Sequence, residues 1–351
     1  MLKIYAGQKA LKTIQEQGFN QELFTNFLGA SGGPKWFTLF GLDKFLFSEF
    51  FNERTEELNL IGSSAGAFRA ACFAQKSPVE AIERLAHKYA RVVYSTKPTP
   101  QEISDNAQEI INYVFGATGE QEILNNNTFK AHFIVAKCLG FTASESKYKQ
   151  GAGLLASMLF NKLHRKNLSY QYQRYIFKHP TSQLTINDPY NIPSHYINLQ
   201  EQNINDALMA SGSIPMVMSG VKNIKGAANG MYRDGGIIDY HFDFSLEQKS
   251  QGLTLYPHFN PKPRAGWFDK NGNRTVLNSS YDNVVLLVPS EEFINKLPYG
   301  KIPDRTDFNT LDADTRLKYW LTVLQETERL ADSFNEFLVN QQLDNIQKFL
   351  P

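Results

Sequence analysis

The chain has 351 residues, 42% of them hydrophobic, and a formal net charge of +1. That length supports a large core or two domains, and the near-zero charge excludes the basic excess of a general nucleic-acid binder. The two cysteines, Cys72 and Cys138, stand far apart, which excludes a disulfide scaffold and fits a reducing compartment.

Met1-Leu2-Lys3-Ile4-Tyr5-Ala6-Gly7 carries no apolar signal core. No apolar run approaches the ~20 residues that span a bilayer. A cytoplasmic protein is expected; the alternatives are peripheral membrane association and secretion by a route without such a signal.

Ala10, Leu11 and Ile14 share one side of a short helix over 8–17. Residues 24–30 read as a strand running into Ser31-Gly32-Gly33-Pro34-Lys35-Trp36. Pro34 suits the first turn of a helix, and that helix continues through Phe37, Phe40, Leu42, Phe45 and Leu46. A second such unit follows. Leu60-Ile61 leads into Gly62-Ser63-Ser64-Ala65-Gly66, after which Ala67, Phe68, Ala71 and Cys72 recur at helical spacing. Two strand–turn–helix units in succession indicate a parallel sheet with helices packed on it, and function at the C-terminal strand ends.

Helices are expected over 78–93 and 101–115, and a strand over 133–135. Residues 146–187 contain no Asp or Glu but carry Lys147, Lys149, Lys162, Arg165, Lys166, Arg174 and Lys178. Leu154, Leu155, Met158, Leu159 and Leu163 fall there at helical spacing. Such a helix either packs its apolar stripe on the core with a solvated basic rim or lies on an anionic membrane surface. Strands are expected over 196–199, 253–259 and 284–288, and a long loop over 260–280. Apolar stripes at Leu317, Trp320, Leu321 and Leu324, then Leu330, Phe334 and Leu338, make the tail from Asp312 helical. The simplest organisation is one α/β domain over 1–351, with a motif-bearing core at about 24–290 and a helical C-terminal cap at about 312–351.

Gly-x-Ser-x-Gly between a strand and a helix holds Ser64 at the tip of a strained turn. Gly62 and Gly66 remove side chains that would crowd it. A serine hydroxyl needs a base. Asp234, opening Asp234-Gly235-Gly236, is the better candidate, because a partly desolvated carboxylate is a stronger proton acceptor; a plain Asp-Gly turn is the other reading. The order Ser64, Asp234, then His241 or His258 also satisfies a hydrolase triad. None of the seven histidines has zinc-ligand spacing, so no metal is expected. Backbone N–H groups at Gly32 and Gly33 can bind an oxyanion, with Lys35 adding charge nearby; a phosphate-binding or structural turn is the alternative.

Taken together, Ser31-Gly32-Gly33-Pro34-Lys35, Gly62-Ser63-Ser64-Ala65-Gly66, Asp234-Gly235-Gly236 and the small-residue stretch from Ala207 to Pro215 resemble, in order, the motifs of the patatin-like phospholipase family. The resemblance covers roughly residues 24–240. It implies a three-layer α/β/α sandwich with a mostly parallel central sheet, here with a helical C-terminal extension. It also implies hydrolysis of acyl esters in lipids by a Ser–Asp dyad without cofactor. On this reading Ser64 is the nucleophile and Asp234 the base. Gly32, Gly33 and Ala65 form the oxyanion hole, Lys35 is the basic residue of its motif, and Gly62 and Gly66 shape the elbow. Ser31 and Trp36 stand where the family has glycine, but neither removes a backbone N–H. Two rival readings remain: a Ser–Asp–His esterase or thioesterase on soluble acyl compounds, and a non-catalytic lipid- or partner-binding module.

Overall fold

A computed structural model describes residues 1–248, 251–270 and 272–351. It is a mixed α/β fold whose mostly parallel central sheet is flanked by helices. In chain order the strands are β1 (Leu2–Ala6), β2 (Phe24–Gly29), β3 (Leu58–Ser63), β4 (Phe129–Cys138), β5 (Tyr172–Lys178), β6 (Thr185–Asn187) and β7 (Ser194–Asn198). They continue as β8 (Val221–Lys222), β9 (Met231–Asp234), β10 (Ser245–Glu247), β11 (Leu253–Pro257), β12 (Val284–Pro289) and β13 (Gln347–Lys348). The main sheet runs β13-β1-β12-β11-β2-β3-β4-β5-β7, with β8 and β9 attached through β4. From β12 to β4 every pairing is parallel.

Alternate side chains of the strands feed two cores. Phe27, Leu60 and Phe133 join the helices on one face, among them Ala65–Phe73, Pro78–Ala90 and Pro100–Phe115. Leu28, Ile61 and Ile134 join Phe242, Phe244 and Tyr281 on the other, which short helices and extended chain cover. The helices Ala313–Glu326 and Glu328–Asn340 close the first core: Phe334 and Phe337 pack edge-on to Phe19, at 5.7 and 5.2 Å between ring centroids. Among the described residues no helix is long and apolar enough to cross a membrane.

Several elements depart from expectation, among them β1 and β5, which the sequence pattern does not mark, and two others bear on function. β4 is ten residues long, not three. Lys130 and His132 interrupt its apolar pattern yet are buried, because Lys130 pairs with Glu57 and the His132 imidazole bonds the Ser182 hydroxyl at 2.7 Å. The helix over the acid-free stretch, Lys147–Leu163, does not turn its leucines to the core. It buries Gln150, Gly153, Ser157 and Asn161 and leaves Leu155, Met158, Leu159 and Leu163 in solvent.

Candidate active site

Wholly buried β3 ends at Ser63, and the chain then reverses into the helix Ala65–Phe73. Ser64 takes φ 54° and ψ −126° to make the turn, a conformation that costs a non-glycine residue roughly 1–3 kcal/mol. Close backbone approach dictates the flanking glycines. A Cβ on Gly66 would stand 1.8 Å from the Gly29 carbonyl oxygen, and one on Gly62 would stand 2.2 Å from the Gly66 backbone. The Ser64 N–H donates to Ser211 Oγ at 3.0 Å, and that hydroxyl donates to the Ile134 carbonyl at 2.8 Å. The elbow is therefore clamped from across the sheet.

β4 is the template that brings the acid to the serine. β3 pairs with its first half and β9 runs antiparallel along its second half, so Ser63 lies opposite Ile134 and Asp234 opposite the next residue, Val135. The two strands meet end to end. The Asp234 N–H donates to the Ser213 carbonyl at 3.0 Å. Ser64 Oγ donates to Asp234 Oδ2 at 2.7 Å, and the Gly236 N–H donates to Oδ1 at 2.7 Å. A side chain on Gly235 would strike the Ile134 carbonyl, 2.1 Å from its Cβ. Burial pushes the Asp234 carboxyl above the ordinary carboxylate range; the two hydrogen bonds, then the charges of Arg305 and Lys270, hold it back in part. A raised pKa makes Asp234 a stronger base.

Gly32 and Gly33 line the same chamber as Ser64, and Ala65 follows it in the chain. Among the described residues the backbone N–H groups of Gly32, Gly33 and Ala65 donate to no protein acceptor. Gly33 sits at φ +56°, a conformation that favours glycine. Ser31 is structural: its N–H donates to the Tyr240 carbonyl at 3.0 Å and its hydroxyl to Ser63 Oγ at 3.0 Å. Trp36 is buried and packs its ring against Phe37, 4.9 Å between centroids. Lys35 lies in an ion pair with Asp304 at 2.8 Å. Burial would raise the Asp304 carboxyl, but Lys35 and the groups of Thr306 bring it down to about 2.

The cations that line the serine's chamber are instead Lys270 and Arg305. Sequence reasoning missed both, since Lys270 lies in the Pro/Gly/Asn-rich loop and Arg305 beyond the motif-bearing region. Burial, and then the neighbouring Arg305 charge, push the Lys270 amine down to about 7. The chamber, which also includes Gly32 and Asp234, holds about 20 Å³, about one water. Beside it opens a cavity of about 580 Å³, walled by Ser64 and by apolar side chains such as Phe68, Leu85, Ile110 and Met209. That lies within the ~300–1,000 Å³ of small-molecule sites.

Neither candidate histidine bonds to Ser64 or Asp234. His241 Nδ1 accepts from the Arg264 N–H at 2.9 Å, and His258 Nδ1 accepts from the Asn260 N–H at 2.9 Å. The two rings lie edge to face, 4.3 Å between centroids. Burial drives both pKa values down, that of His258 to about 3.

No protein-family model matches the chain, and no curated protein matches it by sequence. Among solved structures it is similar to VipD from Legionella pneumophila, with 12% identity and a TM-score of 0.37 over 89% of this chain and 67% of that one. It is also similar to human GIVD cytosolic phospholipase A2, with 10% identity and a TM-score of 0.37 over 96% of this chain and 65% of that one. The chain thus spans about two thirds of the length of each.

Proposed function

We propose that the protein is a serine lipid acyl hydrolase working through a Ser64–Asp234 dyad. The observation that carries this reading is the 2.7 Å hydrogen bond from the strained Ser64 hydroxyl to the buried Asp234 carboxylate. Ser64 Oγ attacks the ester carbonyl as Asp234 takes its proton. The N–H groups of Gly32, Gly33 and Ala65 receive the oxyanion, each donor being worth roughly 3–4 kcal/mol in sites of this kind. The leaving alcohol takes the proton from Asp234 as the tetrahedral intermediate collapses. Water, deprotonated by Asp234, then attacks the acyl carbonyl, and Asp234 returns that proton to Ser64 Oγ as the bond to the acyl group breaks and the acid leaves. The apolar wall of the 580 Å³ cavity beside Ser64 supports a long acyl chain as the bound group.

Turnover of a panel of phospholipids and neutral acyl esters, read by mass spectrometry, tests the reading. Ser64→Ala and Asp234→Asn each lower turnover by a factor on the order of 10³ or more. Full activity in both variants overturns it.

A further inference from the structure

Helices on the surface of a folded chain turn their apolar stripe inward. The helix Lys147–Leu163 does the reverse, and its inward face explains why. Gln150 donates to the Ser144 carbonyl at 2.9 Å and accepts from the Met216 N–H at 2.6 Å. Gly153 lets the helix approach the turn at Thr142, where a Cβ would stand 2.8 Å from the backbone nitrogen. The Ser157 hydroxyl bonds Gln171 and Tyr172, and Asn161 bonds Asp269 at 2.7 Å and Arg274 at 2.9 Å. Polar contacts hold the helix down, so its large apolar side chains are left outside.

Tyr148 is 92% exposed and Leu163 79%; Leu155, Met158 and Leu159 are exposed between them. Phe141, on the turn packed under the helix, and Tyr170, whose ring lies 6.1 Å from that of Phe160, extend the patch. Four exposed lysines frame it, Lys147 and Lys149 at one end and Lys162 and Lys166 at the other. No acid occurs from 146 to 187, and neighbouring Glu145 is ion-paired with Arg233 at 2.9 Å. The helix also borders the cavity: its Gln150 accepts from the Met216 N–H, and Met216 lines the cavity together with Val217, both partly exposed.

We propose that this helix is a docking surface for an anionic lipid bilayer. Apolar side chains enter the acyl boundary while the lysines meet the head groups. Lysines at both ends of the patch favour an anionic occupant over a second copy of the chain, which would oppose like charges. Docking brings the rim at Met216 and Val217 to the lipid.

The test uses the full chain with Ser64→Ala, so that vesicles stay intact, and does not depend on the hydrolytic reading. Co-sedimentation with phosphatidylglycerol–phosphatidylcholine vesicles is expected at low salt, with loss at high salt and on pure phosphatidylcholine. Leu155→Gln with Leu159→Gln lowers binding at least about tenfold. Replacing the four lysines by Gln lowers it roughly fivefold per residue. In the otherwise wild-type chain, Leu155→Gln with Leu159→Gln leaves turnover of a soluble short-chain ester unchanged. Binding that is absent, indifferent to salt and lipid charge, or undiminished in either folded variant overturns the proposal. So does a wild-type dimer that the leucine substitutions dissociate. Loss of ester turnover with intact vesicle binding strikes the hydrolytic reading alone.

Discussion

A carboxylate in water, with a pKa near 3.9, is a poor acceptor for a serine proton. Asp234 improves on it because burial disfavours its charge more than Ser64, Gly236, Arg305 and Lys270 restore it. On the proposed mechanism Asp234 works as base only when ionised, so kcat/KM falls as pH drops through that raised pKa, and the acid limb of the pH–rate profile lies above the ordinary carboxylate range. On that mechanism Lys270 helps set the position of the limb. Its positive charge holds the Asp234 carboxyl down, so Lys270→Met moves the limb to higher pH. A profile from Lys270→Met that overlays wild type removes the electrostatic link. Ser64 and Asp234 were legible in the sequence because each sits among glycines that close packing demands. Lys270 and Arg305 were not, since their place in the chamber comes from long-range packing that leaves no local pattern.

At the scale of elements, β4 and the helix Ile204–Gly212 bring Ser64 and Asp234 together. β4 sets the ends of β3 and β9 face to face, and Ser211 and Ser213, at the end of that helix, brace the Ser64 and Asp234 backbones. Ser211→Ala leaves the Ser64 N–H without its buried acceptor, at a cost of about 1–3 kcal/mol. The expected signature is a lower kcat with KM little changed, measured on a soluble ester; unaltered kcat contradicts the brace. The stretch from Ala207 to Pro215 stood out in sequence for its small residues, but the partners of its hydroxyls lie across the sheet and were invisible there. The helix Lys147–Leu163 teaches the converse. Leucine spacing located it, yet the anchors of Ser157 and Asn161, at Gln171, Tyr172 and Arg274, decided which side faced in.

At the scale of the whole molecule, we propose that residues 1–351 form one cooperative unit rather than a core with a detachable cap. Thr327 Oγ1 accepts from the Gly41 N–H at 2.9 Å, Trp320 packs on Phe37 at 5.3 Å, and β13 pairs with β1 at Tyr5 and Ala6. Calorimetry of the full chain is expected to give one transition, and removal of residues 312–351 to give an unfolded or aggregated product, because Phe19 and Phe37 lose their cover. Two separated transitions, or a stable truncated protein, contradict the proposal. The alternation of apolar strands with helical stripes made the α/β class readable from the chain alone. The sheet order was not, because β1, β12 and β13 come together from opposite ends of the sequence.

The most direct measurement is the rate at which a fluorophosphonate labels the intact protein, with the modified residue mapped by mass spectrometry. Labelling at Ser64 is expected in the wild type, and labelling slower by a factor on the order of 10² or more in Asp234→Asn. Folded wild-type protein that stays unmodified at Ser64, or an Asp234→Asn variant labelled as fast as wild type, would contradict the dyad mechanism.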